Sequence, residues 1–144
     1  MNSIRVELAA IPENVGLARI IVAGFIAPLD PTVTENSDIK TAVSEAVTNA
    51  IIHGYDNKTG TVTLALDSTP DREITITVVD NGIGIADIDQ VRAPLFTTKP
   101  DMERSGLGFT VMESFMNTVA ITSEPGKGTT ITLTKKLGDV RYDE

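Results

Sequence analysis

The stretch Ile39-Lys40-Thr41-Ala42-Val43-Ser44-Glu45-Ala46-Val47-Thr48-Asn49-Ala50-Ile51-Ile52-His53-Gly54 decides how the chain is read. Ile39, Val43, Ala46, Ala50 and Ile52 recur at helical spacing, and Gly54 stands where glycine commonly ends a helix. Within this apolar helix Ser44, Glu45, Thr48 and Asn49 are polar, and Glu45 and Asn49, four apart, share one face. Two readings stand for that face. It is a solvated stripe, or it presents a proton-accepting carboxylate and an amide oxygen suited to a hard cation such as Mg²⁺. His53, the one histidine, fits a hydrogen-bonding role near the helix end better than catalysis.

Upstream, Ile4, Val6 and Leu8 alternate with polar residues, the pattern of a half-buried strand. Pro12-Glu13-Asn14 punctuates, an apolar helix runs to Ala27, and Pro28-Leu29-Asp30-Pro31 breaks it. Downstream, Thr61–Leu66 and Ile74–Val79 are dense in Val, Ile and Thr, with a hairpin turn at Asp67–Asp71. A polar loop from about Pro94 to Gly106 leads into a third helix, Leu107 to Asn117. Strands at Val119–Ser123 and Thr129–Thr134 follow, around the turn Pro125-Gly126-Lys127-Gly128. This order predicts one α+β domain over residues 1–144: a two-layer sandwich with helices on one face of a mixed, mainly antiparallel sheet. It does not predict a strand order.

Composition narrows the function. The 144 residues carry 12 Lys plus Arg against 20 Asp plus Glu, a net charge of −8, with 41% hydrophobic and 22% charged residues. That balance is globular, and it opposes broad nucleic-acid binding, which needs basic surface. The absence of cysteine excludes disulfides and thiolate metal sites, and a single histidine excludes a multi-histidine zinc site within one chain. The longest apolar stretch, Leu17–Leu29, contains Arg19 and is shorter than the ~20 residues of a membrane span. Met1–Glu7 lacks the order of a secretory signal, so a cytoplasmic protein without membrane contact is expected.

Three further segments bear on chemistry. Asp80-Asn81-Gly82-Ile83-Gly84 follows a buried-type strand; it reads as an Asn-Gly turn, or as a carboxylate and close-approach glycines facing a planar ring. Arg104-Ser105-Gly106-Leu107-Gly108-Phe109 is a loop-to-helix transition, or an anion site at a helix N-terminus with Lys99 and Arg104 nearby. Gly126-Lys127-Gly128-Thr129-Thr130 reads as a hairpin turn and lacks the P-loop spacing.

Taken in order, Glu45-x-x-x-Asn49, Asp80-x-Gly82-x-Gly84, Gly106-x-Gly108 and Gly126-x-Gly128-Thr129 resemble the GHKL superfamily of ATPases and kinases, which includes gyrase B, histidine kinases and MutL. Ser44–Gly54, Leu95-Phe96-Thr97-Thr98-Lys99-Pro100 and Glu103-Arg104-Ser105-Gly106 look most like the anti-sigma-factor serine kinases of sporulation. The resemblance covers nearly the whole chain; only the tail beyond about Lys136 lacks a motif.

The resemblance implies the Bergerat ATP-binding fold, with ATP/ADP and Mg²⁺ as ligands. It implies a homodimer that sequesters a sporulation sigma factor and phosphorylates a serine of an anti-anti-sigma factor. The alternative it leaves is an ATP-gated anti-sigma module without significant kinase activity. By resemblance, Glu45 would be the general base, Asn49 the Mg²⁺ ligand and Asp80 the partner of the adenine amine. Gly82 and Gly84 would lie at the ring, with Thr129 or Thr130 assisting. Thr97, Thr98, Lys99 and Ser105 would belong to a lid over the nucleotide. Gly106, Leu107, Gly108 and Phe109 would offer backbone N–H groups to the phosphates, and Arg104 would reach the γ-phosphate. Arg19 matches the position where the family meets its protein partners. No phosphoacceptor hairpin or transducer domain is recognised beside the domain.

Overall fold

In a computed structural model, residues 1–54, 60–82 and 108–138 are described, without the side chains at 53 and 54. In chain order they form β1 (Asn2–Ala9), α1 (Glu13–Ile26), α2 (Val33–Asn49), β2 (Thr61–Ser68), β3 (Glu73–Asp80), α3 (Gly108–Phe115), β4 (Thr118–Glu124) and β5 (Gly128–Lys136). A 3₁₀ turn at Ala27–Leu29 follows α1, and a π-helical turn at Ala50–Gly54 follows α2.

The strands form one sheet of order β1-β2-β3-β5-β4, and every pairing is antiparallel. The sheet is therefore antiparallel throughout these residues rather than mixed. Two local hairpins, β2–β3 and β4–β5, meet along the β3–β5 seam. Val and Ile at alternate positions make this work. Val62, Leu64, Leu66, Ile74, Ile76, Val78, Ile131 and Leu133 all face the helices and are buried, while the intervening threonines face outward. Ala18, Val22, Phe25 and Ile26 of α1, Ile39, Ala42, Val43, Ala46 and Val47 of α2, and Phe109 and Met112 of α3 close the core.

β1 departs from its sequence pattern. Leu8 is buried and Val6 half-buried, but Ile4 is 36% exposed. β1 is one of the two edge strands, and Ile4 lies in its exposed first half.

α2 sits between α1 and α3 and contacts both. Its start is fixed by a capping box. The Glu35 amide donates to Thr32 Oγ1 at 3.0 Å, and the Thr32 amide donates to Glu35 Oε1 at 2.9 Å. Beyond Asn49, α2 widens into the π turn, which runs to Gly54 and whose residues contact β3 and β5. Such turns recur at functional sites.

Register fixes which ends of these elements meet. Val62, one residue into β2, pairs with Asp80 at the end of β3, and Asp80 pairs with Thr129. The chain leaving α2 re-enters the sheet at this same end. At the opposite end, Thr118 pairs with Thr134, so α3 runs from the Asp80 end towards the base of the sheet. The C-terminus of α2 and the N-terminus of α3 thus point the same way. Among the described residues no helix is long and apolar enough to cross a membrane.

Candidate nucleotide-binding site

At the Asp80 end the core-facing row of the sheet turns polar. The alternation that buries Ile74, Ile76 and Val78 puts Asp80 on the same face, with 4% of its surface exposed. The Gly82 amide donates to Asp80 Oδ1 at 2.9 Å, and the backbone N–H of Thr129 also donates to the carboxylate. Burial pushes the Asp80 carboxyl above the usual carboxylate range, and these two bonds offset only part of that effect. A desolvated acceptor held by its own backbone is suited to recognise an amine donor, because the bond gains strength where water is excluded.

Thr129 and Thr130 now separate. Thr129 is 6% exposed, lies on Asp80's face and shares a 2.8 Å hydrogen bond between its hydroxyl and that of Ser123. Ser123 Oγ also donates to the Gly128 carbonyl at 2.9 Å. Thr130 pairs with Val79 and Thr122 on the outward face, away from Asp80.

Gly128 is a contributor whose role the sequence left as a turn. Its φ is +92°, and a Cβ there would stand 2.0 Å from the Asp80 carbonyl oxygen and 2.7 Å from Asn81 Cα. Only glycine lets β5 close against the end of β3 at this point. The glycines on either side of Lys127 stand in the sequence, but the clash partner lies in a distant strand.

Glu45 and Asn49 are both half-buried and one turn apart at the C-terminal end of α2. Their intermediate burial sets them apart from the wholly solvated stripe that was one reading of this face. Asn49 is the last residue of α2 before the π turn. An amide oxygen there, with a carboxylate one turn away, is a hard donor set that fits Mg²⁺ shared with phosphates. Gly108 and Phe109, both buried, open α3 at the same end of the sandwich. Gly84, Thr97, Thr98, Lys99, Arg104, Ser105, Gly106 and Leu107 lie outside the described residues. Arg19 is elsewhere: it is exposed on α1 between Leu17, 43% exposed, and Ile20, 70% exposed.

A buried acceptor at a strand end, beside the polar end of one helix and the start of another, has the layout of a nucleotide-binding sandwich. The chain belongs to the histidine kinase-like ATPase domain family, whose sequence profile matches residues 8–135. Within it the chain groups with the anti-sigma F factors. It is 55% identical over 136 residues to the anti-sigma F factor of Clostridium perfringens, covering 94% of this chain and 97% of that one. It is 53% identical over 137 residues to that of Bacillus subtilis, covering 94% and 93%.

Solved structures agree on the fold. A crystal structure of the RsbU and RsbW domains of a Mycobacterium tuberculosis protein matches with a TM-score of 0.71 at 22% identity, covering all of this chain and 35% of that one. The catalytic domain of the histidine kinase ThkA matches at 0.56 and 16% identity, covering 95% and 97%.

Proposed function

We propose that the chain is an anti-sigma factor and a protein-serine kinase, using Mg-ATP to phosphorylate a serine on its anti-anti-sigma antagonist. The observation that carries the kinase reading is the pairing of a buried Asp80–Thr129 acceptor site with Glu45, half-buried at the same end of the sandwich. A switch that only binds nucleotide has use for the first but not for the carboxylate. The names of the relatives supply the sigma-factor partner.

In this reading Asp80 accepts the adenine amine and Thr129 steadies the ring edge. Bound Mg²⁺, held on the protein side by Asn49, would neutralise charge on the phosphates. The backbone N–H groups of Gly106 to Phe109 and the side chain of Arg104 contact the phosphates. The serine hydroxyl oxygen forms a bond to the γ-phosphorus while the bond from that phosphorus to the β–γ bridging oxygen breaks. ADP leaves with the electron pair, and the serine proton passes to the Glu45 carboxylate. Thr97, Thr98, Lys99 and Ser105 line the lid, and Gly82 and Gly84 let the backbone approach the base. Arg19, with the apolar residues beside it on α1, meets the sigma factor, and the protein acts as a homodimer in the cytoplasm.

The test uses labelled Mg-ATP with and without the antagonist, following labelled protein and free phosphate. Glu45→Gln is expected to retain nucleotide affinity while transfer falls by ~100-fold or more. Unchanged transfer removes Glu45 as base. Nucleotide binding by the parent protein with no labelled antagonist would leave an ATP-gated anti-sigma module. Arg19→Ala is expected to weaken sigma capture in a pull-down at unchanged ATP affinity.

A further inference from the structure

At the base of the sandwich, far from Asp80, a cation sits between the two helices that frame the site. Lys135 is the last core-facing position of β5, where the alternation through Ile131 and Leu133 would place another apolar residue. Its ammonium donates to the carbonyl of Phe115, the final residue of α3, at 2.6 Å. It also lies 3.8 Å from Asp38 Oδ2 on α2, and the two side chains are only 15% and 23% exposed. The last carbonyls of a helix lack intrahelical donors and carry the negative end of its dipole, so a half-buried ammonium there is favourable.

The neighbouring backbone tightens the same joint. The Asn117 amide donates to the Thr134 carbonyl at 2.8 Å, and the Lys136 amide donates to Asn117 Oδ1 at 2.6 Å.

The two ends of this bridge are equally far from the chemistry. Asp38 lies two helical turns before Glu45, and Phe115 two turns after Gly108, ~10 Å in each case. A helix moves along its axis as a rod. Lys135 therefore sets the height of α2, with Glu45 and Asn49, against that of α3, with its first-turn amides.

We propose that Lys135 is a positioning residue for phosphoryl transfer, holding α2 and α3 in register through Asp38 and the Phe115 carbonyl. The inference rests on the kinase reading above. It touches neither nucleotide nor acceptor, so it acts on alignment more than on affinity, and alignment errors near 1 Å are costly to transfer.

The experiment compares Lys135→Met, which keeps the side chain's length and apolar stem, with Lys135→Arg, which keeps charge and donors. Rates are taken per folded molecule, with the antagonist as acceptor and nucleotide saturating. Lys135→Met is expected to lower transfer about 10-fold while ADP affinity stays within about twofold, and Lys135→Arg to recover most of the loss. Wild-type transfer in Lys135→Met overturns the proposal. So does a Lys135→Arg rate as low as that of Lys135→Met.

Should Lys135→Met not fold, Asp38→Asn carries the same test, with a two- to threefold fall in transfer expected and no fall overturning it. If the parent protein transfers no phosphate, the kinase reading fails. The ratio of ATP to ADP affinity then reports on the placement of α3, with about a threefold fall expected in Lys135→Met and an unchanged ratio counting against the bridge.

Discussion

The two ends of the sheet are built on opposite terms. At one end Asp80 is a buried acid with its carboxyl pushed up, left with acceptor capacity after two backbone donors. At the other, polar groups from four separate segments satisfy one another. Arg72 donates from Nε to the Gly138 carbonyl at 2.9 Å and from a terminal nitrogen to the Leu29 carbonyl. The Leu137 amide donates back to the Arg72 carbonyl at 3.0 Å, and the Gly138 amide to Glu35 Oε2 at 2.8 Å. Burial opposes ionisation of Glu35, yet the backbone donors of Thr32 and Gly138, the Thr32 hydroxyl and the Arg72 guanidinium together hold its carboxyl below the usual range. The same fold thus leaves a buried acid strained at the candidate site and satisfies its polar groups where the chain is tied off.

The strongest way to break this contrast is at the seam. Gly128→Ala puts a methyl group onto the Asp80 carbonyl in a left-handed conformation, and a loss of about 3 kcal/mol is expected by urea denaturation. Full stability in that variant would mean that the β3–β5 contact relaxes freely.

Next comes Asp80→Asn. Nucleotide affinity is expected to drop about 30-fold by calorimetry, the worth of one charge-assisted hydrogen bond. The unliganded protein is expected to be no less stable than the parent at pH 7. A clear loss of stability there would put Asp80 with the structural groups.

Smaller is Glu35→Ala, which removes the capping box for about 1 kcal/mol. Acid titration separates the two ends by sign. Glu35 contributes stability above its ordinary value of 4.5, and that contribution disappears as pH falls through its lower folded value. Asp80, raised in the folded state, does the reverse: its contribution is present below the ordinary value of 3.8 and lost as pH rises through the folded one. Urea midpoints from pH 3 to 7 should therefore flatten on the acidic side in Glu35→Ala and on the rising side in Asp80→Asn.

Smallest is Asp71→Asn. Asp71 accepts from Lys136 at 2.8 Å and from the Thr69 hydroxyl, which pull its carboxyl down to about 2. It is fully exposed, so solvent screens the pair and no change in Tm is expected at pH 7.

Much of this was legible because it is local. Periodicity gave the three helices and five strands to within a few residues, and alternation put Asp80 at the end of a buried-type strand. The Thr32–Glu35 capping signature also stood in the sequence, four residues ahead of the first core position that marked α2. What periodicity could not reach was non-local. Nothing near Arg72 announces that a non-glycine residue with a φ of 70° will hold three distant segments. The choice between Thr129 and Thr130 needed the β3–β5 register. Lys135 lies one residue past the expected strand Thr129–Thr134, and nothing local marks it, because its partners lie on two helices.

The seam between β3 and β5 has one more consequence. Asp80 belongs to one hairpin and Thr129 to the other, so neither hairpin alone contains a site. On the proposed function, the pair that would hold the adenine exists only in states where the two hairpins have joined. Nucleotide then stabilises that joined state selectively. Bound ligand should slow amide exchange along β3 and β5 far more than at the Glu124–Gly128 turn. The site is in effect a gauge of one of the two long-range docking steps in the sheet's assembly, the other being β1 on β2.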